Sequence, residues 1–110
     1  MLTLSTGVIG RFLDMDKLAR GVTTLAHGTV PYPAALRRRI LAVSGPASLS
    51  RLNFELPEFY AAAVREVCGK DLPELIGCHG QTVFHEGRGA HPNTLQLGDP
   101  CVLAERLGIP

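Results

Sequence analysis

The run Ile76-Gly-Cys-His-Gly-Gln-Thr-Val-Phe-His85, answered by Thr94-Leu-Gln-Leu-Gly-Asp-Pro100, constrains the fold more than any other part of the sequence. Leu75 to Cys78 is a short continuous apolar run with no polar alternation, which suits an interior strand covered on both faces. It stops abruptly in a glycine-flanked set of polar side chains. Leu95 and Leu97 alternate with Thr94 and Gln96, as in a half-buried strand, and that strand ends in Gly-Asp-Pro. Ligand sites in α/β proteins gather outside the carboxyl ends of strands. Two such ends close together point to a cleft rather than to scaffold.

The rest of the chain supplies helices to cover such strands. β-Branched residues from Val22 to Val30 predict a strand, which Pro31 and Pro33 stop because neither can donate to a ladder. Pro33 suits the first turn of a helix. Leu36, Ile40 and Leu41, with Val43, form its apolar stripe, and Arg37-Arg38-Arg39 face solvent. Gly45-Pro46 is expected to end this helix, and Ser48 or Ser50 to cap the next. Leu52, Leu56, Phe59, Ala63 and Val67 recur at helical spacing as a buried face. Pro57 within that pattern removes the bond to the Asn53 carbonyl and predicts a kink. Gly69 marks the stop.

Residues 85–93 read as a loop or hairpin connection. Asp99 then caps a helix with Pro100 at its first position, Val102, Leu103 and Leu107 on its apolar face, Arg106 in its last turn and Gly108 beyond its end. Upstream, Met1 to Ile9 is compatible with a strand and Phe12 to Ala19 has weak helical spacing. The predicted order is β-α-α-β-β-α, an α/β fold with a mixed sheet and flanking helices.

A chain of 110 residues accommodates one small domain. A net charge of +1 gives no electrostatic reason to expect nucleic acid or an anionic membrane. Residues 1–10 lack a basic segment and are too short to span a bilayer. Cys68, Cys78 and Cys101 are an odd number without paired spacing, which fits reduced thiols in a cytosolic protein. Cys78 and Cys101 read as small buried hydrophobes. Cys78, His79, His85, His91 and Cys101 match no usual zinc spacing, so no metal ligands are assigned.

His79, Gly80, Gln81 and Thr82 form the first candidate cluster. Gly77 and Gly80 permit close approach to the backbone, and the other side chains can donate to and accept from a polar small molecule. The same residues can instead satisfy backbone groups at a strand end; the motif alone leaves both readings open. Gln96, Gly98 and Asp99 form the second cluster. A carboxylate capping a helix makes a poor general base. Ser5-Thr6-Gly7 with Gly10 lacks the lysine of the common phosphate loop.

These residues resemble a known family. Ile76-Gly-Cys-His-Gly-Gln-Thr-Val83, His85-Glu86, Thr94-Leu-Gln-Leu-Gly-Asp99 and Ala104-Glu-Arg-Leu-Gly-Ile109 are similar to anhydro-N-acetylmuramic acid kinases. So are Ala26-His-Gly-Thr-Val-Pro-Tyr-Pro33, the Leu36–Leu41 helix and Leu52-Asn-Phe-Glu-Leu56. The likeness covers residues 26–110 and leaves 1–25 as a poorly matching segment. It implies part of the N-terminal lobe of an actin-like ATPase, the fold of hexokinase-type sugar kinases. It further implies ATP and Mg²⁺ as cofactors in the full-length family, an amino sugar as the small-molecule partner, a bacterial cytoplasmic setting in peptidoglycan recycling, and room for a homodimer.

By the same resemblance, His79, Gly80, Gln81 and Thr82 match the family's His-Gly-Gln-Thr motif, and Gln96, Gly98 and Asp99 its Gln-hydrophobic-Gly-Asp motif. Both are expected to line the substrate cleft rather than to carry catalysis. The family's Ser-Gly-Thr-Ser-x-Asp-Gly phosphate loop has only a faint echo in Ser5-Thr6-Gly7, and Pro57 falls where the family tolerates glycine. The family's catalytic aspartate, in Asp-Thr-Gly-Pro-Gly, lies downstream of residue 110. The expectation is therefore a lobe fragment, inactive alone. The competing expectations are a non-catalytic sugar- or partner-binding module and a poorly folding remnant.

Overall fold

The computed structural model describes residues 2–4, 9–13 and 24–110. The elements are β1 (Leu2–Leu4), β2 (Ile9–Leu13), β3 (Thr24–Thr29), α1 (Ala34–Leu41), α2 (Gly45–Cys68), β4 (Ile76–Cys78), β5 (Gln81–Glu86), β6 (Asn93–Leu97) and α3 (Pro100–Leu107). The class is mixed α/β, as expected. A four-stranded sheet has the order β3-β2-β1-β4, with β1 parallel to β4 and antiparallel to β2. The hairpin β5-β6 forms a second, two-stranded sheet. The strand expected over Met1 to Ile9 is described only at β1 and at Ile9. The helical spacing from Phe12 gives way to strand at Phe12 and Leu13, and its remainder lies outside the described residues.

Helix α2 is the organiser. Leu52, Leu56, Tyr60, Ala61, Ala63 and Val64 are buried and meet Leu36 of α1, Leu97 of β6 and Leu103 of α3 in one cluster. Phe59 and Val67, expected in the same buried face, are half-buried. The C-terminal end of α2 crosses β3 at Gly28, where a Cβ would lie 3.0 Å from a Val67 methyl. Arg37, Arg38 and Arg39 are exposed as read, with Arg39 paired to Glu55. Leu41, placed in the apolar stripe, is exposed.

Several boundaries differ from expectation. Gly45-Pro46 opens α2 instead of closing α1. Gly45 has φ +71°, so one residue turns the chain, and Pro46 then occupies the first helical turn, where its missing N–H costs nothing. The N-cap residue is Ser44, not Ser48 or Ser50, although the Ser48 hydroxyl takes the Ser44 N–H at 2.9 Å. The helix runs unbroken through Pro57, which is fully buried.

β4 is an edge strand of the described sheet, with Gly77 exposed and Ile76 and Cys78 half-buried, so the expected two-sided burial does not hold. Three residues with a central glycine are too little apolar surface to be covered twice. Leu95 is exposed whereas Leu97 is buried, because only the end of β6 reaches the core. Cys78 is half-buried and Cys101 exposed, and all three thiols are free. α3 matches its reading at both ends. The Asp99 Oδ1 accepts the Cys101 N–H at 2.8 Å, and Gly108 closes the helix with φ +67°.

Candidate functional site

The two polar turns meet through the hairpin. Gly80 separates β4 from β5 with φ +74°, and a Cβ there would lie 2.6 Å from the Leu97 carbonyl oxygen. Only glycine permits that approach. The first turn is therefore pressed against the end of β6, next to the second turn.

Register then sorts the side chains. Thr82 is paired with Gln96, and Gln81 with Leu97. Successive strand residues face opposite sides, so Thr82 and Gln96 share a face and Gln81 lies on the other. A register shift between Thr82 and Phe84 makes Val83 the extra residue of a bulge, after which His85 opposes Thr94. The bulge keeps His85 on the Thr82 side. Thr82, His85, Thr94 and Gln96 thus form one polar face.

The Gln96 side-chain amide donates to Thr94 Oγ1 at 2.6 Å and lies 3.5 Å from Thr82 Oγ1. Thr94 Oγ1 is also 3.2 Å from the Phe84 carbonyl, to which its hydroxyl donates. Thr82 and Gln96 are half-buried, whereas His85 and Thr94 are exposed. Such a set offers amide and hydroxyl groups at fixed spacing to a polyhydroxylated ligand.

The other candidates are placed differently. His79 is exposed, and its Nδ1 is 3.1 Å from the Gly80 carbonyl oxygen. The Gln81 amide donates to the Thr82 carbonyl at 2.9 Å. Gly98 and Asp99 are tied to α2: the Gly98 N–H donates to Asn53 Oδ1 at 3.0 Å, and the Asp99 N–H to the Asn53 carbonyl at 2.9 Å. The Asp99 carboxylate is engaged by its own helix. The structure therefore joins Thr82 to Gln96, turns Gln81 away, and commits Gly98 and Asp99 to the frame.

Half-buried Cys78 and buried Tyr60 back this frame. Burial pushes the Cys78 thiol up, partly offset by a backbone hydrogen bond from Gly80, so it is not poised as a nucleophile. Burial likewise raises Tyr60, and its hydrogen bond with Tyr32, at 3.3 Å between hydroxyls, raises it further. A cavity of about 60 Å³ lies between β4 and α3, lined by Ile76, Cys78, Leu103 and Ile109 among others. It is apolar, smaller than a sugar, and none of the candidate residues lines it. Among the described residues, no three His, Cys, Asp or Glu side chains come together as a metal site. No described helix is long and apolar enough to cross a membrane.

Sequence reasoning assigned no site role to Thr94, His85, Asn53 or Tyr60. Thr94 shares the Gln96 face by simple alternation along β6, and His85 joins it through a bulge in β5 that alternation does not reveal. Asn53 left one local signal, a carbonyl without a helical partner four residues before Pro57.

Comparison with known proteins sets the class first. A protein of Vibrio vulnificus, named an anhydro-N-acetylmuramic acid kinase, is 39% identical over 117 residues, covering 97% of this chain and 31% of the relative. A Vibrio parahaemolyticus protein of the same name is 38% identical over 98 residues, covering 80% of this chain and 26% of the relative. One from Salinibacter ruber is 43% identical over 98 residues, covering 74% and 24%. All three are named as kinases. The family profile for anhydro-N-acetylmuramic acid kinase matches residues 7–110, and the chain belongs to that family. The match takes in most of the segment before Ala26. The chain spans between 24% and 31% of the length of these relatives.

Proposed function

We propose that these residues form the sugar-side part of the first lobe of an actin-like kinase that converts 1,6-anhydro-N-acetylmuramic acid to N-acetylmuramic acid 6-phosphate. The observation that carries the reading is the Thr82–Gln96–Thr94 hydrogen-bonded face beside the His79–Gly80 turn. Threonine hydroxyls and a glutamine amide read hydroxyl and acetamido groups by direction and spacing, without charge. His79 stands at the rim and can donate to or accept from a ring oxygen. Gly80 brings the two rims together, and Gly98 and Asp99 hold the second rim in place.

In this reading the chain's own residues bind and orient the sugar. Phosphoryl transfer depends mainly on positioning and on stabilising charge at the transferred group. The full-length family reading brings ATP and Mg²⁺, which would supply the phosphoryl group and neutralise its charge. The described residues hold no carboxylate cluster suited to Mg²⁺, and Ser5-Thr6-Gly7 lies outside them, so no residue here is assigned to either. A bacterial cytoplasmic role in peptidoglycan recycling follows from the same reading.

Isothermal titration calorimetry with 1,6-anhydro-N-acetylmuramic acid tests it. The 110-residue polypeptide is expected to bind the sugar weakly, and Gln96→Ala to lower the affinity about tenfold, as expected for losing a directed hydrogen bond. With ATP, Mg²⁺ and the sugar, this polypeptide is expected to show no turnover. Phosphorylated sugar in that assay would refute the inactivity, and absence of any binding heat would refute the sugar-side assignment.

A further inference from the structure

Pro57 has no N–H to give to the Asn53 carbonyl one turn before it. That carbonyl accepts the Asp99 N–H at 2.9 Å instead, while Oδ1 of the same residue accepts the Gly98 N–H at 3.0 Å. One residue of α2 therefore holds two successive amides of the turn between β6 and α3. Any other residue at 57 would direct an N–H along the helix at the same oxygen. Tyr60, further along α2, fills the space that a Cβ on Gly98 would need, its ring carbon only 2.7 Å from that position. Leu97, between Gly98 and Gln96, is buried in the core. The chain from 96 to 99 is thereby fixed at one end by Asn53 and in its middle by packing.

We infer that Asn53, its carbonyl released by Pro57, is a positioning residue that sets the Gly98–Asp99 corner and through it the place of the Gln96 amide against Thr82 and Thr94. The inference rests on the sugar-side reading above. It predicts that ligand affinity depends on a residue that touches no ligand.

The test combines calorimetry with 1,6-anhydro-N-acetylmuramic acid and NMR amide exchange on the 110-residue chain, Asn53→Ala and Asn53→Asp. The alanine variant is expected to lose about tenfold in affinity, with faster exchange at Gly98 and its neighbours, the loss of one hydrogen bond to a partly buried donor. The aspartate variant keeps an acceptor oxygen at the same place and is expected to restore both. Sugar binding by the alanine variant equal to that of the unaltered chain overturns the inference and leaves the site reading standing. No sugar binding by the unaltered chain overturns the site reading and the inference with it. Should the alanine variant unfold, the aspartate variant decides. Normal affinity with a protected Gly98 amide supports the inference, and lost affinity with that amide still protected overturns it.

Discussion

The Gly98–Asp99 corner and the His79–Gly80 corner are written in the same vocabulary, a strand end, a glycine and a polar side chain, yet they are built differently. At Gly98–Asp99 both amides go to Asn53, the carboxylate goes to the Cys101 N–H, and the Tyr60 ring closes one side. At His79–Gly80 the imidazole is exposed, and its one polar contact among the described residues is with the carbonyl of the residue beside it. The difference lies in what runs alongside. α2 passes the first corner with a free carbonyl and an amide side chain; no described helix offers the same to the second. A polar turn becomes frame where a neighbour consumes its hydrogen-bonding capacity, and keeps that capacity where no described neighbour does.

The glycines test this contrast hardest. Ala at Gly80 would place a methyl 2.6 Å from the Leu97 carbonyl oxygen at φ +74°, and Ala at Gly98 would meet the buried Tyr60 ring at 2.7 Å with φ +121°. Each substitution is expected to lower unfolding free energy by about 3 kcal/mol, since strain at positive φ and a clash with an immobile group act together. Urea denaturation followed by circular dichroism measures it. If Gly80→Ala were neutral, the two corners would not be pressed together as described, and the shared site would dissolve.

Alkaline titration separates the corners by the groups behind them. Cys78 backs the His79 corner, and burial raises it from 9.0; Tyr60 backs the Gly98 corner, and burial raises it from 10.0. A raised pKa means that the folded chain keeps a proton the unfolded chain releases. Stability from this source is intact below the unfolded value and is lost as pH climbs beyond it. The expected fall begins near pH 9 through Cys78, with Cys68 also raised by burial, and steepens above pH 10 through Tyr60 and its partner Tyr32, by at most about 1.4 kcal/mol per pH unit for each group. Tyr60→Phe is expected to reduce the steeper part, leaving the share of Tyr32, and to spare the fall near pH 9. Denaturant midpoints from pH 7 to 11 that do not move would show these groups to be solvated.

How much of this was legible in the sequence depends on the range of the interaction. α3 was legible at both ends because Asp99, Pro100 and Gly108 act within a turn of themselves. The α2 face was legible because its buried residues repeat at helical spacing, although Tyr60 and Val64 widen the stripe. The start of α2 was misread, since Gly45-Pro46 suits a stop as well as a start and only the φ of Gly45 decides. β5 was not separated from its turn, because the bulge at Val83 breaks the two-residue alternation that marks a strand. The Thr82–Gln96 pairing depends on register, which no local pattern specifies. The Asn53 clamp was half visible: Pro57 announced a carbonyl without a helical partner, but the amide that uses it is that of Asp99, far along the chain, and the side-chain oxygen beside it takes the Gly98 N–H 45 residues away. The sequence motif grouped His79, Gln81, Gln96 and Asp99 as one cleft lining, and the fold sorts them by face and by neighbour.

The smallest effects separate the two corners residue by residue. Asp99→Ala removes a cap acceptor and is expected to cost about 1 kcal/mol of stability, with Asp99→Asn recovering most of it because asparagine caps nearly as well. His79→Ala removes an exposed ring whose one polar partner among the described residues is the adjacent carbonyl, so stability is expected to change by no more than about 0.5 kcal/mol. Affinity for 1,6-anhydro-N-acetylmuramic acid is expected to respond the other way. His79→Ala should weaken it about tenfold, and Asp99→Asn should leave it nearly unchanged, since in the proposed sugar-side reading one group is offered to the ligand, whereas the other is spent on its helix. Paired denaturation and calorimetry on the same variants read both quantities. A reversed pattern, with His79 governing stability and Asp99 governing affinity, would exchange the roles assigned to the corners, because a carboxylate that leaves its cap to meet a sugar would make the tied corner the binding one.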